Sequence, residues 1–365
     1  MFVPSLLNLS TKVVAKCLAE GRYRHFNINL NAKLSDQIFY EIVKLPSLYK
    51  RPHAASSFAI TEKTGLRLNL TKFDTDRHPV SCEDLVNLHR HNIQSLTIVL
   101  YKILGQPEYR IKTGKGRYKL DIFRILKTCL NERSRQNLRH LSCDSIEHFP
   151  HGWTEKVGEL LPNLVTFAPY DMNDMTGIRH LKNLQTLFLY GLELDSTEDL
   201  EELFKLPNLQ ALDLTYCDDL FENLLLYDRS FQNLKLIDCY KSDITEAQLR
   251  EMVRRNPSLE TIALLDTPCD ETDFSDLPIT VLNLANYEST MKTLRYTLDR
   301  SYGNPYPWEV DTIIDRLGEL LHNETIQGFK EDEFLKLIME MTREYPPSAE
   351  EKNRVAACLI PYFKN

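Results

Sequence analysis

A short leucine pattern returns along the middle of the chain at nearly constant spacing, and no other feature constrains the fold as tightly. NLRHLSC begins at Asn137, NLVTFAP at Asn163, NLQTLFL at Asn183, NLQALDL at Asn208, NLKLIDC at Asn233 and SLETIAL at Ser258. The leading leucines, Leu138, Leu164, Leu184, Leu209, Leu234 and Leu259, are separated by 26, 20, 25, 25 and 25 residues. A period near 25 residues means one supersecondary unit per repeat, which cannot bury its apolar side alone and must stack on its neighbours. NIQSLTI, from Asn92, is a weaker copy upstream, and Ile279, Leu282 and Leu284 are expected to continue the frame downstream.

Each copy reads Leu-x-x-Leu-x-Leu, and Leu209, Leu212, Leu214 and Cys217 complete the longer leucine-rich form. The expected fold is therefore α/β: a leucine-rich-repeat solenoid, or horseshoe, with the leucines of short strands pointing inward. Amphipathic stretches such as STEDLEELFKLP (196–207) and ITEAQLREMVRRNP (244–257) supply the return helices, with Thr197 or Thr245 as caps. Residues between the leucines face the other way, onto the concave surface that such arrays use for binding. Tyr170, Phe188, Tyr190 and Tyr240 form an aromatic strip there with Asp213 and Asp238, and these six residues are the candidate target-binding face.

The two ends read differently, giving three expected parts: 1–50, 51–286 and 287–365. From Pro4 onward Leu6, Leu9, Val13 and Cys17 recur at helical spacing, a strand-like NINLN follows at 27–31, and SDQIFYEIVKL is expected to open a second helix at Ser35. Gly65 to Leu70 reads as a strand. Beyond Tyr287 four helical periods (288–300, 307–322, 331–345 and 348–363) suggest a short armadillo-like segment.

Composition narrows the chemistry. With 44 basic against 52 acidic residues, a net charge of -8 disfavours a nucleic-acid binder, and the five basic residues of YRIKTGKGRYK (109–119) are expected to form a solvated loop. The eight cysteines are scattered without a CxxC and read as reduced thiols, with Cys217 a packed turn residue. The N-terminus makes a poor secretory signal and no long apolar run occurs, so the expected location is the cytoplasm or nucleus, away from the membrane. His89 with His91 and His148 with His151 lack further ligands at metal spacing and read as surface histidines. TGKGR lacks the ending of a phosphate loop, and no nucleophile elbow is present, so the expectation is a non-catalytic protein with no cofactor and no metal.

The order of these parts, an LLNLS helix, an LSDQIFYEIVKL helix, 25-residue leucine repeats and then helices, resembles the Zyg eleven and Zer one family. RRNPSLETIALLDTP (254–268), the 288–300 helix and EFLKLIMEMTREYP (333–346) carry the resemblance most specifically. It implies a substrate-recognition subunit of a Cullin-2 ubiquitin ligase, partnered by elongin B and C, Cullin-2 with its RING subunit, and a protein substrate of unknown identity. The family's elongin-binding box corresponds to Ser5, Leu6, Ser10 and Val14, with Ser10 standing where a cysteine is expected. Its cullin-selecting element corresponds to Leu34, Ser35, Ile38 and Ile42, without the expected proline. The family's long helical domain, whose groove reads substrate N-termini, is expected to be missing or only begun, since the sequence stops at Asn365. The other expectation is a diverged leucine-rich scaffold without ligase docking.

Overall fold

The computed structural model describes residues 6–45, 59–61, 65–74, 80–113, 117–145, 148–170, 172, 174–192, 197–299, 307–323, 335–337 and 339. The fold is α/β and dominated by parallel strands. Helix α1 (Leu6–Ala19), strand β1 (Ile28–Asn29) and helix α2 (Ala32–Val43) come first, and β1 pairs in parallel with β2 (Leu66–Arg67). The chain divides into two compact units: 1–210 with 229–233, and 211–228 with 234–365.

In the first unit the repeats supply β3 (Lys72–Asp74), β4 (Ser95–Val99), β7 (His140–Asp144), β8 (Thr166–Pro169) and β9 (Thr186–Phe188), adjacent in that order. Between β4 and β7 the chain inserts an antiparallel hairpin, β5 (Arg110–Thr113) and β6 (Arg117–Leu120). The basic stretch expected as a loop is thus mostly strand. Register is in step with the sequence repeat: Leu96 lies opposite Leu141, Leu141 opposite Phe167, and Phe167 opposite Leu187. All four are at most 1% exposed, and burial of a leucine is worth about 2 kcal/mol. Strand β3 is one more copy than the sequence pattern revealed. Phe73 takes the leucine position opposite Leu96, with Leu70 buried three residues earlier.

The asparagine that opens each copy has its own work. Asn163 donates from Nδ2 to the Gln136 carbonyl (3.1 Å), Asn183 to Pro162 (2.9 Å), Asn208 to Lys182 (2.8 Å) and Asn233 to Pro207 (2.7 Å). Each satisfies a carbonyl of the preceding unit, which otherwise has no strand partner to accept from.

The second unit carries β10 (Ala211–Asp213), β11 (Leu236–Asp238), β12 (Thr261–Ala263) and β13 (Thr280–Leu282). Leu212, Ile237, Ile262 and Val281 align across it. The last step corrects the frame expected from sequence. Val281, not Leu282, sits opposite Ile262, and a shift of one residue reverses every side chain. Leu282 and Leu284 therefore join Leu265 and Tyr240 on the opposite face, while Asn283 is 2% exposed and donates to the Thr272 carbonyl at 2.8 Å.

Two of the expected C-terminal helices are present, as Tyr287–Asp299 and Pro307–Asn323, and they pack where Leu284 emerges. Leu294, Ile313, Ile314, Leu317 and Leu321 bury against Tyr240, Leu265 and Leu284. Of the third, 335–337 and 339 are helical; the fourth lies outside the described residues. The Glu246–Arg255 helix begins as expected at Thr245, whose hydroxyl and Gln248 form a reciprocal capping box. The other return segment, Thr197–Lys205, is a 3-10 helix.

Candidate functional site

Helix α1 has two faces of opposite fate. Thr11, Ala15 and Leu18 are buried, while the apolar Leu6, Leu9 and Val13, which recur at helical spacing, are 80%, 46% and 61% exposed. Ser10 lies exposed among them and Val14 is half-buried; Ser5 lies outside the described residues. The Ser10 hydroxyl donates to the Leu6 carbonyl at 2.7 Å. A serine at this place therefore carries its own hydrogen-bond acceptor, and an apolar partner surface would not strand the donor.

Helix α2 starts three residues earlier than its sequence suggested, because Asn31 caps it by accepting from Leu34 N at 3.0 Å. Ser35 then falls inside the helix, fully buried, with its hydroxyl donating to the Asn31 carbonyl (2.8 Å) and accepting from Asn69 N (2.9 Å). Asp36 accepts from Thr71 N at 2.8 Å and Lys72 N at 3.1 Å, pinning the helix to the start of β3. Ile38 and Ile42 are 4% and 0% exposed, and Phe39 stacks on Phe73 with ring centroids 5.2 Å apart. Of the four residues matched to the cullin-selecting element only Leu34 is even half-exposed; the other three are packed within the chain. The outward face of α2 presents Lys33, Tyr40 and Lys44 instead, with the Lys44 ammonium 3.9 Å from the centre of the Tyr40 ring.

The six sheet-face candidates also separate. In the first unit Tyr170 is 36% exposed, Phe188 and Tyr190 are half-exposed, and the two tyrosines bridge neighbouring strands with ring centroids 5.5 Å apart. In the second unit Asp213 is half-exposed and its Oδ1 accepts from Thr215 N at 3.0 Å, closing a turn. Asp238 and Tyr240 are 3% and 2% exposed. Asp238 Oδ1 accepts from Tyr240 N at 3.1 Å, its Oδ2 accepts from the Tyr296 hydroxyl at 2.8 Å, and the C-terminal helices cover the Tyr240 ring. Those two residues serve the internal packing of the second unit and leave the candidate surface.

Reactive groups are held quiet. His91, read from sequence as a surface residue, is buried: Nδ1 accepts from Leu70 N and Nε2 faces the Ile60 carbonyl, both at 3.2 Å. Burial lowers its pKa and keeps it neutral. It helps to wall a cleft of about 320 Å³, lined also by Asn29, Thr61, Arg67, Asn69 and Arg90. His151, largely exposed, faces Asp174 at 3.3 Å. Burial pushes the Cys129 and Cys143 thiols up to about 12 and the Cys239 thiol well above its usual value, so these sulfurs stay protonated at neutral pH. Cys217 is buried at its turn, as its repeat position suggested. Among the described residues there is no group of three or more candidate metal ligands, and no helix is long and apolar enough to cross a membrane.

No protein-family model matches the chain. It is similar to Gastrulation-defective protein 3 of Caenorhabditis elegans, with 23% identity over 330 residues. That alignment takes in 81% of this chain and 45% of the relative, so the chain spans less than half the length of the curated protein it matches.

Proposed function

We propose that the protein is a non-catalytic substrate-recognition subunit of a Cullin-2 ubiquitin ligase, built on a leucine-rich-repeat solenoid. Elongin C receives α1, and a protein target binds the open face of the repeat strands. The observation that carries this reading is the exposed apolar face of α1, where Leu6 leaves four-fifths of its surface in water. An isolated exposed leucine is ordinary, but Leu6, Leu9 and Val13 at successive turns of one helix form a stripe of the kind that seats in a partner's groove. Ubiquitin transfer then follows from proximity, the receptor holding a target lysine near the charged conjugating enzyme.

A second reading, a leucine-rich interaction scaffold without ligase docking, is favoured by the burial of Ser35, Ile38 and Ile42. Under the ligase reading, the cullin contact falls to Leu34 and the exposed Tyr40 side of α2.

The discriminating experiment is a pull-down of the purified chain with elongin B and C, with and without the Cullin-2 N-terminal domain. Saturable micromolar binding that Leu6→Glu abolishes, because a carboxylate would be buried in an apolar pocket, supports the ligase reading. Binding that survives Leu6→Glu, or no binding at all, leaves the scaffold.

A further inference from the structure

We propose that the cleft walled by His91 binds a carboxylate carried on a short apolar body, with the Arg67 guanidinium and the amides of Asn29 and Asn69 as its receptors. The site depends on neither reading above, since no residue of α1 and none of the sheet-face candidates is among the described residues that line it.

The strand pairing assembles the receptors. Asn29 on β1 pairs in register with Arg67 on β2, so their side chains leave the same face of the ribbon about 5 Å apart. From 66 to 70 the chain alternates, with Leu66, Leu68 and Leu70 buried and Arg67 and Asn69 exposed, which puts Asn69 on that face about 7 Å further along. The backbone beneath is fixed. Ile28 N donates to the Gly65 carbonyl (3.1 Å), Leu30 N to the Arg67 carbonyl (3.0 Å) and Asn69 N to the Ser35 hydroxyl (2.9 Å). Receptors mounted on a backbone held this way lose less freedom when a ligand arrives.

The groups in the wall select the charge of the ligand. Asn29, Arg67 and Asn69 are all exposed, and none of their side chains is engaged in a hydrogen bond or ion pair. Arg90 and Thr61 also line the cleft but hold contacts of their own, so the charge on offer is that of Arg67. His91 adds none, because its Nδ1 accepts from Leu70 N and the ring stays neutral. No carboxylate is among the described lining residues. One guanidinium beside two neutral amides matches a singly charged anion, and its planar fork fits the two oxygens of a carboxylate. A phosphate dianion would leave a charge unmatched in a protein of net charge -8. Leu30, Ile60 and Leu68 supply an apolar wall beside these groups, with Ile60 2% and Leu68 8% exposed. At about 320 Å³ the cleft stands at the small end of ligand pockets, which suits a short body rather than a long one.

The test is saturation-transfer NMR on the full chain with four probes at up to millimolar concentration. N-acetyl-leucyl-leucine presents a terminal carboxylate, N-acetyl-glutamyl-leucinamide an acidic side chain, N-acetyl-leucyl-leucinamide no charge, and N-acetyl-leucinol phosphate a dianion. At least one of the two carboxylates is expected to bind saturably and at least tenfold more tightly than the uncharged probe. Which of them does so tells a chain end from an acidic side chain as the source. Arg67→Gln should weaken that binding at least tenfold with an unchanged circular dichroism spectrum, since the exposed Arg67 side chain belongs to no core. Asn29→Ala combined with Asn69→Ala should weaken it several-fold. Lys235→Gln, an equal change of charge in the second unit, should leave it intact. Equal binding of charged and uncharged probes, no saturable binding of either carboxylate, or carboxylate binding untouched by Arg67→Gln would each overturn the site. A phosphate probe that binds more tightly than both carboxylates would overturn the choice of ligand.

Discussion

The Tyr296 hydroxyl donates to Asp238 Oδ2 at 2.8 Å, joining the first C-terminal helix to a strand residue 58 positions earlier. Asp238 is nearly inaccessible, so the donor matters more than an exposed one would. Tyr296→Phe is expected to cost about 1 to 3 kcal/mol, the usual range for losing a hydrogen bond to a buried charged group. Urea unfolding followed by circular dichroism measures it, and a change under about 0.5 kcal/mol would show that the bond does not hold the helix.

The asparagine rungs make a second set. Asn208→Ala removes the donor to the Lys182 carbonyl and is expected to cost about 0.5 to 1.5 kcal/mol. Asn183→Ala and Asn233→Ala act on carbonyls of different units, so their combined cost should equal the sum within about 0.5 kcal/mol. A large excess over the sum, seen in the same denaturation assay, would mean that the rungs support one another through the chain.

Two left-handed glycines should respond unequally to alanine. At Gly65 (φ +77°) a Cβ would lie 1.8 Å from the Tyr23 carbonyl oxygen, so β2 meets the 23–28 segment only because no side chain intervenes. Gly65→Ala is expected to cost more than about 2 kcal/mol and to release β1, read as faster amide exchange at Ile28 and Leu30. At Gly191 (φ +57°) nothing lies within 4 Å of the added carbon, so Gly191→Ala costs only the backbone conformation, about 1 kcal/mol. Equal effects at the two sites would contradict this ordering.

Stability should depend on pH through Asp270. Burial pushes its carboxyl up to about 7, although it accepts from Asp266 N (2.8 Å) and Leu284 N (3.1 Å). An unfolded aspartate titrates near 3.9, so the folded state holds the proton more tightly. The resulting stabilisation is full below about pH 4 and is lost as pH rises through 7, a span on the order of a few kcal/mol. His91 works against it, since its lowered pKa removes stability as pH falls below about 6.5. The difference between wild type and Asp270→Asn isolates the first group. Thermal midpoints from pH 5 to 8 should fall more steeply in wild type, and parallel curves would exclude Asp270 as the source.

The repeat was legible because leucines at a fixed period record a buried stripe, and the structure buries every leading leucine from Leu138 to Leu259. The strand β3 copy is harder to read because Phe73 replaces a leucine and its unit lies 23 residues before the next, although Asn69 and Leu70 open it like the others. At β13 the same method failed by one residue. Leu282 and Leu284 look like continuing core positions, but leucine identity says nothing about which of two apolar surroundings it enters, and here the second is a layer of helices. The same helices explain Tyr240 and Asp238, whose spacing marked them as surface residues and whose cover comes from 50 or more residues downstream. On α2 both Ser35 and Asn31 are good caps by residue type; Asn31 caps the helix, and three residues of difference turn Ser35 inward. Helix α1 shows its apolar spacing plainly, but which of its two faces meets water depends on the surrounding fold, within which Ala15 and Leu18 are buried.

The change of face at β13 also sets where this array is able to lengthen. Strands β10, β11 and β12 present interchangeable edges, each with its apolar residue in step with the next. A tandem duplication of one 25-residue unit among them would meet matching neighbours on both sides. Placed after β13 the same unit would meet Leu284 already committed to the helices and a polar Asn283 where a leucine should be. The inverted strand is thus a terminator written into the sequence, and growth of the repeat array by duplication is confined to the positions before it.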